Sequence, residues 1–213
     1  SFKRRYKARR QITPDPGPVG DQRAAFVVRD NLLHRRDIEE AYLTAIGGAQ
    51  KEIVLANAYF LPGYRFRHAL FDAAARGVKV TILLQGRTEY RLQHYATQAL
   101  YGALLKAGIR ILEYRRSFLH AKVAVIDDRW ATVGSSNIDP FSLLLAREAN
   151  IVVTDTSFAT SLRQSIEGAA AEGAVELSVE DWRQFSWLSR LLRWISYQAV
   201  RAAIGLAGYG GKH

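Results

Sequence analysis

The chain has 213 residues, of which 48% are hydrophobic. That is enough for one domain with a sizeable core, and it excludes a chain disordered throughout. It has no cysteine, which excludes disulfides and thiol-ligated zinc, and no signal peptide or uninterrupted membrane span is legible in it.

The formal charge of +10 sits at the two ends. Residues 1–23 carry seven Lys/Arg against two acids, and residues 183–213 carry five basic residues and no acid. Between them, eighteen basic residues are matched by eighteen acidic ones. A nucleic-acid groove more often makes the folded body basic. Basic ends on a neutral body point instead to an anionic surface, most simply a membrane. The chain also lacks methionine, even at position 1, so it is expected to be a processed chain or part of a longer one.

In chain order, 1–23 is a basic run followed by a Pro/Gly-rich linker, TPDPGPVG at 13–20, that suits neither a helix nor a central strand. The folded body is expected over 24–175. It opens with a short strand at 24–28 and a helix at 35–49, with Ile38, Ala41, Tyr42, Ala45 and Ile46 on one face. EIVLANA (52–58) reads as a strand buried on both faces. A helix follows at 64–76, then a buried strand VKVTILL (78–84), one helix over 89–107 and a strand at 109–114. Two strands flank Asp127-Asp128 as a hairpin; a strand at 151–154 and a helix at 157–171 close the body. This alternation predicts an α/β/α sandwich on a mixed, largely parallel sheet. In such sheets ligands sit beyond strand ends, which makes Asn57, Tyr59, Phe60 and, more weakly, Gln85 and Gly86 candidates to border a site.

The last segment, 176–213, predicts an amphipathic helix and a flexible tail. Phe185, Leu188, Leu191, Leu192, Ile195, Ala199, Ala202 and Leu206 share one face, Arg183, Arg190, Arg193 and Arg201 the other, and Trp187 and Trp194 lie toward a flank. Internal arginines forbid a simple span, and a helix lying in a lipid headgroup layer fits them. Packing of the apolar face on the core or on a partner subunit is the alternative.

The stretch that organises the chain is HAKVAVIDDRWATVGSSN, 120–137. It reads H-x-K-x4-D (His120, Lys122, Asp127), then, six residues on, G-S-x-N (Gly134, Ser135, Asn137). His120 and Lys122 are two apart, so on a strand both leave the same face. Asn137 follows a Gly-Ser turn that can bring its carboxamide back to them. An imidazole, an ammonium and a carboxamide at one spot suit a phosphodiester and its developing charge. The remaining histidines, His34, His68, His94 and His213, have no partner at ligand spacing and read as surface or packing residues.

This spacing resembles the signature of the phospholipase D superfamily, with every fixed position filled. NAYFLPGYR, RGVKVTILLQG, LHAKVAVIDDRWATVGSSNIDPFSL and EANIVV are further similar to the second half of the bacterial cardiolipin synthases of the B type. The resemblance implies a phospholipase D-like fold and transfer of a phosphatidyl group between phospholipids through a phosphohistidine. His120 would attack or act as the matching acid/base, Glu148 would orient it, and Lys122 and Asn137 would hold phosphate oxygens, with Ser135 assisting. Asp127 and Gly134 would be structural. Ala146-Arg147 before Glu148 departs from the Asn-Leu more common there.

No metal or other cofactor is implied. The chemistry needs two histidines, one to attack and one to protonate the leaving oxygen, and the chain holds one motif. The second is expected from an upstream half of the same protein, or from a homodimer partner. Implied partners are a phosphatidylglycerol-like substrate and an anionic membrane surface, on the cytoplasmic side of a bacterial cell membrane; nucleic acid is disfavoured. Two other readings stay open: a single-motif dimeric nuclease or phosphodiesterase, and a membrane-binding half incomplete for catalysis.

Overall fold

In a computed structural model the described residues are 17 and 20–204. The predicted basic linker therefore lies mostly outside them, as do Leu206 and the terminal GYGGKH. The elements are β1 (Arg23–Arg29), α1 (Asp37–Gly48), β2 (Glu52–Asn57), α2 (Tyr64–Ala75), β3 (Lys79–Gln85), α3 (Arg91–Gln98), α4 (Tyr101–Lys106) and β4 (Arg110–Tyr114). They continue with β5 (Lys122–Ile126), β6 (Trp130–Gly134), α5 (Pro140–Leu144), β7 (Glu148–Thr154), α6 (Thr156–Gly173), β8 (Ala174–Leu177), α7 (Val179–Gln184) and α8 (Trp187–Ile204).

The strands form one eight-stranded sheet in the order β1-β7-β6-β5-β2-β3-β4-β8. The largely parallel sheet expected from the alternation is not what forms. Only β2–β3 and β3–β4 pair in parallel; the other five pairs are antiparallel. The reason lies in the connections. A parallel pair needs a crossover, and α2 and then α3–α4 supply one each. From β4 to β7 the chain returns through a loop, a tight hairpin and the short α5, each of which reverses its direction. Asp127 and Asp128, both at positive φ (52° and 49°), make that hairpin turn, and left-handed geometry at both central positions matches the strand twist.

Alternation along the strands divides the core in two. Ile53, Leu55, Ile82, Leu84, Ile111, Ala124 and Ile126 face a layer that includes Ile38, Tyr42, Phe66, Leu70 and Leu104 from helices α1 to α4. Val54, Ala56, Leu83, Val125 and Ala131 face Ala159 and Ile166 of α6. At the ~25 cal/mol per Å² that apolar burial is worth, a strand such as β2, buried from Ile53 to Asn57, anchors both layers at once.

The single helix expected over 89–107 is two, broken at Ala99-Leu100, where Leu100 N–H bonds to Thr97 O three residues back. Strand β8, unmarked by any alternation in the sequence, caps the β4 edge. At the C-terminus, α8 packs on α3 with Arg193, Ser196 and Val200 buried, and leaves Trp187, Leu188, Leu191, Leu192, Trp194 and Ile195 exposed. The apolar stripe is thus turned away from the body. No helix among the described residues is long and apolar enough to cross a membrane.

Candidate active site

The register of the sheet brings one end of all eight strands together. β1, β2, β3, β4 and β6 end there, and β5, β7 and β8 begin there. His120 immediately precedes β5, Lys122 opens it, and Asn57 at the end of β2 is the register partner of Lys122. Glu148 opens β7, beside the Gly134 end of β6.

Lys122 Nζ lies 3.0 Å from His120 Nε2. An ammonium has only N–H to give, so Nε2 accepts, and the proton of a neutral imidazole then sits on Nδ1. The imidazole is exposed while Lys122 is buried. Burial holds the Lys122 ammonium below its ordinary range; the nearby carboxylates Glu148 and Asp139 oppose this but do not cancel it.

The glutamate expected to orient the imidazole is bonded elsewhere. Ser135 Oγ donates to Glu148 Oε2, and Ser135 Oγ in turn accepts Ala149 N–H at 3.1 Å. Ser135, expected as a phosphate contact, is here the tether of Glu148. Gly134 owes its identity to a close approach. A Cβ there would stand 2.0 Å from Asn150 Oδ1 and 2.6 Å from Ala149 O. Asn150 is itself buried, donating to Thr132 Oγ1 at 3.2 Å. Its part in packing the turn gave no signal in the sequence.

Asn137 accepts Tyr59 N–H at 3.3 Å through Oδ1, which leaves its amide N–H groups as the donors on the other side. Tyr59 donates its O–H to a Glu89 carboxylate oxygen at 2.5 Å; burial, and then that carboxylate, push the phenol well above its usual range. Asn57 is placed beneath the site rather than at its mouth. It is wholly buried, and its Oδ1 accepts Ile138 N–H at 3.0 Å. Gln85, also buried, accepts Leu119 N–H at 3.1 Å and so fixes the residue before His120.

Asp127 lies at the opposite end of β5. Its carboxylate accepts the N–H groups of Gln50, Lys51 and Glu52 at 2.8 to 2.9 Å and seals the turn into β2. Burial pushes this carboxyl up, and the three N–H donors outweigh it, leaving it below its usual range. A carboxylate the sequence did not single out is Asp139. Nearly sealed, it caps α5 by accepting Phe141 and Ser142 N–H at 2.8 and 2.9 Å, and burial raises it despite them. Among the described residues no group of three or more His, Cys, Asp or Glu side chains is placed to share a metal ion.

Residues 42–169 match the family described as "Cardiolipin synthase, PLD-like domain". This chain belongs to that family. Cardiolipin synthase B of Shigella flexneri is 39% identical over 212 residues, which is 100% of this chain and 50% of that protein. The Escherichia coli K12 protein of the same name is 38% identical over the same shares. The chain spans about half the length of these curated relatives. Among solved structures, Nuc of Salmonella typhimurium, a phospholipase D family member, superposes with a TM-score of 0.63 at 19% identity, covering 74% of this chain and 99% of that one. Phosphatidylserine synthase of Haemophilus influenzae superposes with 0.66 at 13% identity, covering 87% and 47%. At these identities the likeness shows the fold alone, that of a phospholipase D family member.

Proposed function

We propose that this chain is the C-terminal half of a two-motif phosphatidyltransferase that makes cardiolipin at a bacterial membrane. The observation that carries the reading is the 3.0 Å contact between His120 Nε2 and Lys122 Nζ at the exposed end of the sheet. When a phosphodiester arrives, the ammonium moves its hydrogen bond to a non-bridging oxygen and frees the Nε2 lone pair. Nε2 then bonds to phosphorus while the P–O bond to the headgroup alcohol breaks, and the departing oxygen takes a proton from an acid outside this chain. In the second step a lipid hydroxyl gives its proton to that same group, now a base, attacks the same phosphorus and releases the imidazole. Lys122 and the Asn137 amide hold the charge on the non-bridging oxygens, and Glu148 with Ser135 keeps a carboxylate beside the ammonium.

The acid is the histidine of a second motif, in an upstream half of the same protein. Relatives about twice this chain's length support that source over a homodimer partner. Attachment to the membrane is peripheral, through the outward apolar face of α8, with exposed Arg190 and Arg201 beside it for anionic headgroups.

The test uses the full-length protein and labelled phosphatidylglycerol vesicles. The expected product is a two-phosphate lipid with release of glycerol, lost on His120→Ala. Equal product from both forms overturns the histidine assignment, and cleavage of oligonucleotides alone moves the reading to a nuclease.

A further inference from the structure

We infer that the rim of the site is itself a lipid-contact surface, with Leu32 and Leu33 entering the apolar edge of an anionic membrane beside the catalytic residues. Leu32 and Leu33 are 82% and 86% exposed, more than any other exposed large hydrophobic side chain among the described residues. They are held out by a built turn. One oxygen of Asp30 accepts the N–H groups of Leu32, Leu33 and His34 at 2.8, 2.9 and 3.0 Å. Asp30 N–H closes the same turn onto His34 O at 3.2 Å, and His34 Nδ1 bonds Asp37 at 2.6 Å, at the start of α1. Ordering backbone in this way to display two leucines to water is costly unless something covers them.

The turn's place says what covers it. It follows Arg29, whose register partner is Glu148, so it stands beside the site. On another loop of the same end Phe118, two residues before His120, is 58% exposed, with the Arg87 guanidinium 5.8 Å from its ring centre. Arg36, Arg87 and Arg147 are exposed on three separate loops of this rim. Apolar side chains interleaved with arginines complement an anionic lipid surface: the first enter its acyl edge, the second meet its phosphates. With this geometry a phosphodiester at the headgroup level reaches His120 without its lipid leaving the bilayer. The inference rests on the lipid-substrate reading above.

The test labels the full-length protein with an environment-sensitive fluorophore at Leu33→Cys as sole cysteine, and separately at Gln164→Cys on α6. On adding phosphatidylglycerol vesicles, the label at 33 is expected to shift to the blue and to be quenched by brominated acyl chains, and the label at 164 to do neither. A second variant, Leu32→Ser/Leu33→Ser, is expected to weaken partitioning to these vesicles about tenfold, in line with two lost leucine insertions partly offset by α8. A label at 33 that stays unshifted at vesicle saturation overturns the inference. So does one already shifted without lipid, which would mean protein covers the turn, and so does unchanged partitioning of the double variant. The label carried on His120→Ala separates the two readings: a blue shift with retained turnover sinks the chemistry alone, and no shift with lost turnover sinks this surface alone.

Discussion

Arg193 of α8 donates its Nε–H to the side-chain carbonyl of Gln98 on α3 at 2.8 Å. Its guanidinium also lies 4.0 Å from the centre of the Phe185 ring. Gln98 passes the contact on to Glu113 of β4, which also binds Tyr101 and Arg115. This buried polar chain is why the helix packs by the face that carries Arg193 and turns its apolar stripe outward. Arg193→Met is expected to lower the unfolding free energy by about 2 kcal/mol, the usual loss for a hydrogen bond to a charged group. A double-mutant cycle with Gln98→Ala, read by urea titration, should show the two effects to be coupled.

Gly134→Ala places a methyl group against the Asn150 side chain and the Ala149 carbonyl. A cost of about 2–3 kcal/mol is expected, because β6 must part from β7 to make room. The Ser135–Glu148 tether lies in the same pairing, so turnover should fall as well. Asn150→Gly in the same chain relieves only the side-chain collision, and the backbone one at Ala149 O remains. Thermal unfolding of the three proteins checks the order: wild type, then the double variant, then Gly134→Ala.

Asp127 is held below its ordinary value of 3.8 by three backbone donors. A depressed carboxyl contributes stability that is complete above its unfolded value and is lost as pH falls through its folded one. Asp127→Asn should therefore flatten the acid limb of the stability curve below about pH 4 while keeping the turn. Asp127→Ala should lose about 1–3 kcal/mol at neutral pH, since three N–H groups lose their charged acceptor. Denaturant midpoints measured from pH 3 to 7 separate the two variants.

In the proposed mechanism Lys122 holds a phosphate oxygen and has to be charged to do so, and burial lowers its value from the ordinary 10.5. Turnover is expected to fall on the alkaline side at a pH below that of a free lysine. Lys122→Arg, which stays charged, should remove this limb while lowering the rate through misplaced geometry. Lys122→Met should cost about a hundredfold or more in kcat, as loss of an oxyanion donor does. A pH profile of kcat/KM for the three proteins tests the assignment.

The spacing of H-x-K-x4-D with G-S-x-N leads to the expectation that His120, Lys122 and Asn137 share one spot; strand alternation accounts for the contact of His120 with Lys122, while Asn137 is reached through a hairpin whose three linking residues, Asp127 to Arg129, no periodicity specifies. Buried β2 and β3, and the helices α1 and α2, were legible for the same reason: local periodicity is a property of neighbours along the chain. The direction in which strands pair is not. Whether β5 returns beside β2 in parallel or antiparallel depends on how the 115–121 segment crosses the sheet end, and only Gln85 holding Leu119 and Ala121 O accepting Ala58 N–H decide that. Likewise the sequence drew the two faces of α8, yet a helical wheel cannot say which face meets the body. That choice belongs to partners far along the chain, Gln98 and Tyr95 for Arg193, and long-range pairing of this kind exists only once the chain has closed on itself.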